Sequence, residues 1–353
     1  MIISKTPYRI SLFGGGTDYP EWFRTEGGAV LSMTIDKYCY ISCRFLPPFF
    51  GIKHRVVWSH IETVSSIAEI LHPAVREGLR LLGFDDSTGL EIHHQGDLPA
   101  RSGIGSSSSF TVGLIKALTA LRGQTIGKRA LALKAIELER EILKEHVGWQ
   151  DQVAAAYGGM NLIEFSARGL FTVRPLAIPS SRLTELEAHL MLFYTGTSRL
   201  SSEVAADIIA NIGAKRQVLT QLHRMVGEAV SILRSGDLDD LGRLLHESWM
   251  LKRELSPSVT SPAVELAYET AIRHGALGGK LLGAGGTGFM AFYVPRDKQS
   301  LVKDALMQCL PVPFALASQG SRIVYSAQEI PSAVSEPHEE EPALSPAAQT
   351  GAR

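Results

Sequence analysis

The chain has 353 residues, 45% of them hydrophobic and 20% charged, with a formal net charge of -1. That length allows two domains with substantial cores, and the near-neutral balance excludes the basic footprint of a nucleic-acid binder or of a protein held on an anionic membrane. No apolar run approaches the ~20 residues of a membrane span, the N-terminus lacks the form of a signal peptide, and Cys39, Cys43 and Cys309 have the spacing of neither a disulfide framework nor a zinc site, so a cytoplasmic protein with reduced thiols is expected.

In chain order, residues 2–13 read as a strand interrupted by Pro7, running into Gly14-Gly15-Gly16-Thr17-Asp18. Three consecutive glycines bring backbone close to something small, or else form a hairpin turn. Residues 38–45 and 53–58 are rich in β-branched and aromatic residues and predict strands. Residues 66–82 predict an amphipathic helix with a break at Pro73. The alternation of Leu90, Ile92 and His94 predicts a half-buried strand, and the spacing of Phe110, Leu114, Ile115, Leu118 and Leu121 predicts a helix.

Between that strand and that helix lies the stretch around which the chain is organised, Pro99-Ala100-Arg101-Ser102-Gly103-Ile104-Gly105-Ser106-Ser107-Ser108-Ser109. The glycines permit a tight turn close to a ligand. The serines place hydroxyls and free N–H groups at a helix N-terminus, whose partial positive charge suits a phosphate. An ordinary serine-capped loop has the same pattern. No Gly-Lys-Ser/Thr comes after the glycines, so this is not the common P-loop.

A helix over 128–145, a small-residue helix over 153–157 after Gly148-Trp149-Gln150-Asp151-Gln152, and strands at 161–165 and 170–175 complete a first unit. A second organisation begins near residue 186. It has a strand at 189–194, helices over 201–234, 238–255 and 263–274, and a second glycine loop, Lys280-Leu281-Leu282-Gly283-Ala284-Gly285-Gly286-Thr287-Gly288. A strand at 289–294, a helix at 298–310 and a strand over 314–325 come next. Beyond Glu329 the composition shifts to Pro, Glu, Ser and Ala, a tail expected to be disordered. Strands and helices mix without regular alternation, which favours α+β.

Three glycine-bearing loops in this order resemble the GHMP kinase superfamily. Residues 7–19 resemble its first motif, 99–109 its second, the ATP-phosphate loop, and 280–288 its third. The resemblance spans roughly residues 1–328. It implies a two-domain fold with the active site in the cleft between an N-terminal domain, 1–185, and a C-terminal domain, 186–328, with 329–353 as tail. Within the superfamily the chain is most similar to sugar-1-kinases acting on D-glycero-D-manno-heptose 7-phosphate, on the Gly-Gly-Gly-Thr-Asp first motif, residues 148–152, Tyr194-Thr195-Gly196-Thr197-Ser198-Arg199 and Trp249-Met250-Leu251-Lys252-Arg253. Thr287 stands where many relatives carry glycine. Fucokinases share the Gly-Thr-Asp first motif, so a kinase for an unphosphorylated sugar of the fucose, galactose or mannose type is the alternative. A catalytically inactive regulator would have lost its acidic residues, and Asp151, Glu139 and Asp18 are all present.

Phosphoryl transfer asks a protein mainly for positioning and charge neutralisation. The resemblance implies that Pro99, Arg101 and residues 102–109 bind ATP, supported by Lys280, Gly283, Gly285 and Gly286 of the third motif. It implies that Ser107 and Glu139 hold Mg²⁺, and that Asp151 acts as base on the attacking hydroxyl with Arg9 beside it as cation. Gly15, Gly16, Thr17 and Asp18 would bind the sugar. A phosphorylated substrate needs cations outside the ATP loop, and Arg199 and Lys252 are the candidates, arginine being the better anchor through its bidentate fork. The implied activity is ATP-dependent phosphorylation of the anomeric hydroxyl, for nucleotide-activated heptose and surface polysaccharide synthesis. ATP and Mg²⁺ are the expected cofactors, a sugar phosphate the partner, and a homodimer is a possible assembly. His93-His94 is not read as a metal pair, because adjacent strand residues face opposite sides.

Overall fold

A computed structural model describes residues 1–196 and 201–327, without the side chains of 201 and 202. Arg199 and the tail beyond 327 lie outside the described residues. The first unit runs β1 (Ile2–Phe13), α1 (Pro20–Glu26), β2 (Gly28–Leu46), β3 (His54–Val57), β4 (Ile61–Val64), α2 (Pro73–Leu81), β5 (Gly89–Gly96), α3 (Ser106–Leu121), α4 (Lys128–Ile136), a π-helical turn (Glu137–Ile142), α5 (Gln150–Tyr157), β6 (Met160–Phe165) and β7 (Phe171–Pro175). The chain continues with α6 (Ser180–His189), β8 (Leu190–Tyr194), α7 (Ser201–Asn211), α8 (Arg216–Ser235), α9 (Leu238–Arg253), α10 (Pro262–Arg273), β9 (Gly278–Leu281), β10 (Phe289–Tyr293), α11 (Gln299–Ala305), β11 (Leu310–Pro311) and β12 (Arg322–Ser326).

The larger sheet has the order β12-β1-β2-β5-β3-β4, with β6 pairing β2 and β7 pairing β6. The long β2 reaches both ends: it pairs β5 over Cys39–Leu46 and β6 over Gly28–Met33. Helix α3 lies across β1 and β2 and is buried along most of its length. Gly113 permits this approach, because a Cβ there would meet the Thr6 hydroxyl at 2.9 Å, and the Ser4 hydroxyl donates to the Gly113 carbonyl at 2.8 Å. The second sheet, β11-β8-β10-β9, is antiparallel. Helix α9 packs on β9 and β10, and α8 packs on α9 and against β1 and β2, which joins the second sheet's helices to the first sheet. All three cysteines are free and buried, and so serve packing.

Several elements depart from the sequence reading. Pro7 does not interrupt β1; the register with β2 shifts between Pro7 and Arg9, a bulge that accommodates a residue with no N–H to donate. The glycine run is no hairpin: Pro20 opens α1 at a position where a missing N–H costs nothing, and Trp22 and Phe23 are buried. Helix α6 runs through residues 185 and 186, across the expected boundary. The expected strand over 314–325 shortens to β12, which pairs with β1, so the chain returns to the first sheet before its end. Before β12 the chain meets β2 at an isolated bridge between Ile35 and Leu316.

Candidate active site

The loop after β5 passes over the end of β1 and enters α3. Gly105 holds φ +71° at the helix N-cap, and its side-chain-free turn leaves the first N–H groups of α3 without upstream carbonyls. The Arg9 N–H donates to the Ile104 carbonyl at 3.2 Å, which ties β1 to this loop. The loop faces two ways. Arg101, Gly103, Gly105, Ser106, Ser107 and Ser108 line a cleft of about 780 Å³. Ser102, Ile104 and Ser109 turn into the protein and are buried, and Ser108, at the edge of the cleft, is buried with them. The Ser102 hydroxyl donates to the Pro99 carbonyl and the Ser109 hydroxyl to the Pro7 carbonyl. The alternation is that of a helix start: one side of the turn must pack while the other stays open.

Arg9 and Asp151 form the centre. The Arg9 Nε and one terminal nitrogen donate to the two oxygens of Asp151, each at 2.8 Å, and the other terminal nitrogen donates to the Gly103 carbonyl at 2.6 Å. Arg9 is 3% exposed and Asp151 25%. A planar guanidinium gripping both carboxylate oxygens fixes the carboxylate's position as well as its charge. Asp151 sits in the first turn of α5, where the helix end favours an anion.

Asp18 is buried beside this pair. Its carboxylate accepts from the N–H groups of Gly16 at 3.1 Å and Gln150 at 3.3 Å. Burial, then the neighbouring Asp151 charge, push its pKa up to about 6. Gly148 makes room: a Cβ there would overlap the Asp18 carboxylate at 1.8 Å. Gly15 and Gly16 line the cleft next to it. Thr17 is buried. Its hydroxyl donates to the carbonyls of Gly14 and Ala29 and accepts from the Ala29 N–H, so it is committed to holding the turn.

Glu139 lies on the π-helical turn and is wholly buried. Its Oε2 accepts from the Ser108 hydroxyl at 2.8 Å and from the Gln152 amide, while Oε1 has no partner among the described residues. Burial, then Glu145, raise its pKa to about 7. The hydroxyl beside Glu139 is therefore that of Ser108. Ser107, expected there, is one residue round the helix and exposed.

The third glycine motif does not open a helix. It joins β9 to β10, and its glycines carry backbone contacts. A Cβ on Gly283 would come within 2.6 Å of the Gly103 Cα, one on Gly285 within 2.6 Å of Val259, and one on Gly288 within 2.2 Å of the Ser102 carbonyl. The Gly286 N–H donates to the Val259 carbonyl at 2.9 Å, and the Phe289 N–H donates to the Ser102 carbonyl at 3.0 Å. Lys252, expected as an anchor for a distant phosphate, is buried behind this motif and donates to the carbonyls of Leu281 and Gly283. Lys280 is likewise buried and donates to the Leu12 carbonyl.

At the end of the cleft beyond α3, Trp58, His60, His72, His94 and Phe110 form an aromatic wall. The His72 ring stacks on Phe110 at 4.7 Å, with His94 edge-on at 5.1 Å and Trp58 against His72 at 4.8 Å. Glu62 fixes this wall by accepting from the Trp58 indole at 2.7 Å and the His72 N–H at 3.2 Å. His93 turns to the other face and meets Glu91. In the sequence His94 and Phe110 stand out only as members of a strand and a helix. The five rings come from four separate places, the β3–β4 turn, the start of α2, β5 and α3, and no local pattern joins them.

Residues 64–159 match the family described as GHMP kinases N terminal domain, and residues 229–309 match GHMP kinases C terminal. The chain is 31% identical over 325 residues to a D-glycero-alpha-D-manno-heptose 7-phosphate kinase of Campylobacter jejuni, covering 86% of this chain and 92% of that one. It is 28% identical to a bifunctional fucokinase/GDP-fucose pyrophosphorylase of Arabidopsis thaliana, over 81% of this chain and 29% of the longer relative. Among solved structures, a D-glycero-D-manno-heptose 1-phosphate kinase from Bacteroides thetaiotaomicron superposes with a TM-score of 0.75 at 24% identity, covering 92% of this chain and all of the other. Among the described residues no helix is long and apolar enough to cross a membrane.

Proposed function

This chain belongs to the GHMP kinase family and is a phosphotransferase acting on a sugar hydroxyl, and from that membership we propose that its acceptor is the anomeric hydroxyl of D-glycero-D-manno-heptose 7-phosphate and its product the 1,7-bisphosphate. The observation that carries the chemistry is the double grip of Arg9, whose fork holds both oxygens of Asp151 while its third nitrogen holds the Gly103 carbonyl. One side chain thereby sets the distance between a phosphate-binding turn and a carboxylate. The sugar is supported by the kinship to a heptose 7-phosphate kinase over most of both chains.

ATP lies with its base along the Trp58–His72–Phe110 wall and its phosphates against the open side of residues 103–108. Asp151 accepts the proton of the attacking hydroxyl, and Arg9 holds that carboxylate in place and faces the charge that develops on the phosphoryl group. Asp18 takes hydrogen bonds from neighbouring ring hydroxyls. It is ionised above about pH 6, when it accepts best. The residues around Glu139 fit a magnesium ion: a buried carboxylate with one unpartnered oxygen and a serine hydroxyl next to it are hard oxygen donors. Glu139 with Ser108 would hold the ion, whose contribution is to neutralise phosphate charge.

The test is a substrate panel with ATP and Mg²⁺, read by phosphorus NMR of the products. The reading expects the heptose 7-phosphate to gain a second, anomeric phosphate faster than fucose, galactose or mannose gain their first. An untouched heptose phosphate beside a consumed unphosphorylated sugar would overturn it in favour of the alternative acceptor.

A further inference from the structure

Three buried cations meet at the floor of the cleft where the chemistry just described uses one. Lys280 is 3% exposed and Lys252 6% exposed, and both side chains line the cleft with Arg9. An ammonium has three N–H donors. Lys280 donates one to the Leu12 carbonyl at 2.9 Å, and among the described residues no other acceptor takes the remaining two. Lys252 donates to the Gly283 carbonyl at 2.6 Å and the Leu281 carbonyl at 2.9 Å. Neither lysine forms an ion pair among the described residues. The acids nearby are committed elsewhere: Asp151 gives both oxygens to Arg9, and Asp18 takes two backbone N–H groups.

Buried charges without a counter-ion are costly. Burial pushes the Lys280 pKa down to about 7, with Arg9 adding to the shift, and it pushes Lys252 down too, with Lys280 and Arg9 adding and Asp18 opposing. A ligand anion would supply what the protein withholds. Position narrows the choice of anion. The Gly283 backbone that Lys252 holds lies against Gly103, and Lys280 shares its field with Arg9, which grips Gly103 as well. Lys252 therefore sits beside the phosphate loop, and Lys280, bonded to β1, the strand that carries Arg9, lines the same cleft.

We propose that Lys280 is a second cation on the transferring phosphoryl group, beside Arg9, and that Lys252 is a positioning residue that clamps the 281–283 backbone beneath it. This rests on the phosphoryl-transfer reading. The competing structural role is a clasp: Lys280 joins β9 to β1 through the Leu12 carbonyl and does nothing else.

Lys280→Gln separates the two, because an amide can still donate to Leu12 but carries no charge. Binding of ADP and of the non-hydrolysable ATP analogue AMPPNP, each with Mg²⁺, is measured by calorimetry for wild type, Lys280→Gln and Lys280→Met; no sugar is needed, so the result stands whatever the acceptor proves to be. The proposal expects AMPPNP affinity to fall about 10-fold in both variants while ADP affinity stays within about 2-fold, as the loss of one charge-assisted contact to the terminal phosphate requires. It also expects proton uptake when wild type binds AMPPNP at pH 8.5, measured in buffers of different ionisation enthalpy and reduced in Lys280→Gln. In turnover, kcat falls about 10²-fold in Lys280→Gln and recovers in part in Lys280→Arg. Equal losses for ADP and AMPPNP, no loss in either, or a Lys280→Gln variant that turns over like wild type would each overturn the proposal. Should Lys280→Met fail to fold, Lys280→Gln and the wild-type proton count still decide.

Discussion

The two glycine loops look alike in sequence and do different work. Residues 103–108 end in a helix start: Gly105 turns at φ +71°, α3 begins, and N–H groups with no upstream carbonyl face the cleft. Residues 282–288 join two antiparallel strands and open nothing; Gly283, Gly285 and Gly288 are glycine because neighbouring backbone fills the space of a Cβ. The first loop offers donors to a ligand, and the second holds the first in place. Glycine content alone therefore does not mark a loop open to the cleft; a helix start directly after the glycines does.

Breaking each loop should give different lesions. Gly105→Val places a β-branched residue at a positive φ and brings its Cβ within 3.2 Å of the Arg9 side chain and 3.4 Å of Asp151. Nucleotide affinity should fall about 10²-fold or more, since the turn that aims the donors is lost; calorimetry with AMPPNP would show this, and unchanged affinity would place the phosphates elsewhere. Gly283→Ala puts a Cβ 2.6 Å from the Gly103 Cα at φ +72°. Backbone cannot move aside cheaply, so stability should fall by about 2–3 kcal/mol, read as a lower melting temperature, with a smaller loss of nucleotide affinity. A variant that bound ATP poorly at full stability would contradict the buttress role.

The smallest effect concerns Asp18, which belongs to neither loop. Its folded pKa is raised to about 6 from 3.8. Between those values the folded chain binds more protons than the unfolded chain, so stability falls as pH rises through that window, and the cost is fully present above about pH 6. Asp18→Asn should therefore be more stable than wild type by about 1–3 kcal/mol at pH 8, with the gap closing towards pH 4. Chemical denaturation at the two pH values checks this; a gap independent of pH would mean that the carboxylate is not held at such a cost.

The sequence revealed most where chemistry is local. The strand–glycine–serine–helix order of 90–121 and the first-turn placement of Asp151 are set by residues close in the chain. Long-range packing was not legible. That Ser102 and Ser109 face inward while Ser106 and Ser107 stay open to the cleft depends on the carbonyls of Pro99 and Pro7. That Thr17 serves the turn depends on Ala29 across β2. Lys252 reads as an anchor for a distant phosphate until β9 is placed beside it. Lys280 alone left a trace, a charge within an otherwise apolar, glycine-flanked strand.

The central claim is that Asp151, held by Arg9 under the phosphate turn, handles the proton of the attacking hydroxyl. Asp151→Asn changes one carboxylate oxygen for an amide and little else. Its steady-state turnover with saturating ATP and heptose 7-phosphate, set beside its AMPPNP affinity, tests the claim most directly. A kcat lower by about 10²-fold or more, with nucleotide affinity within about 3-fold of wild type, is the predicted result; turnover near the wild-type rate would contradict it.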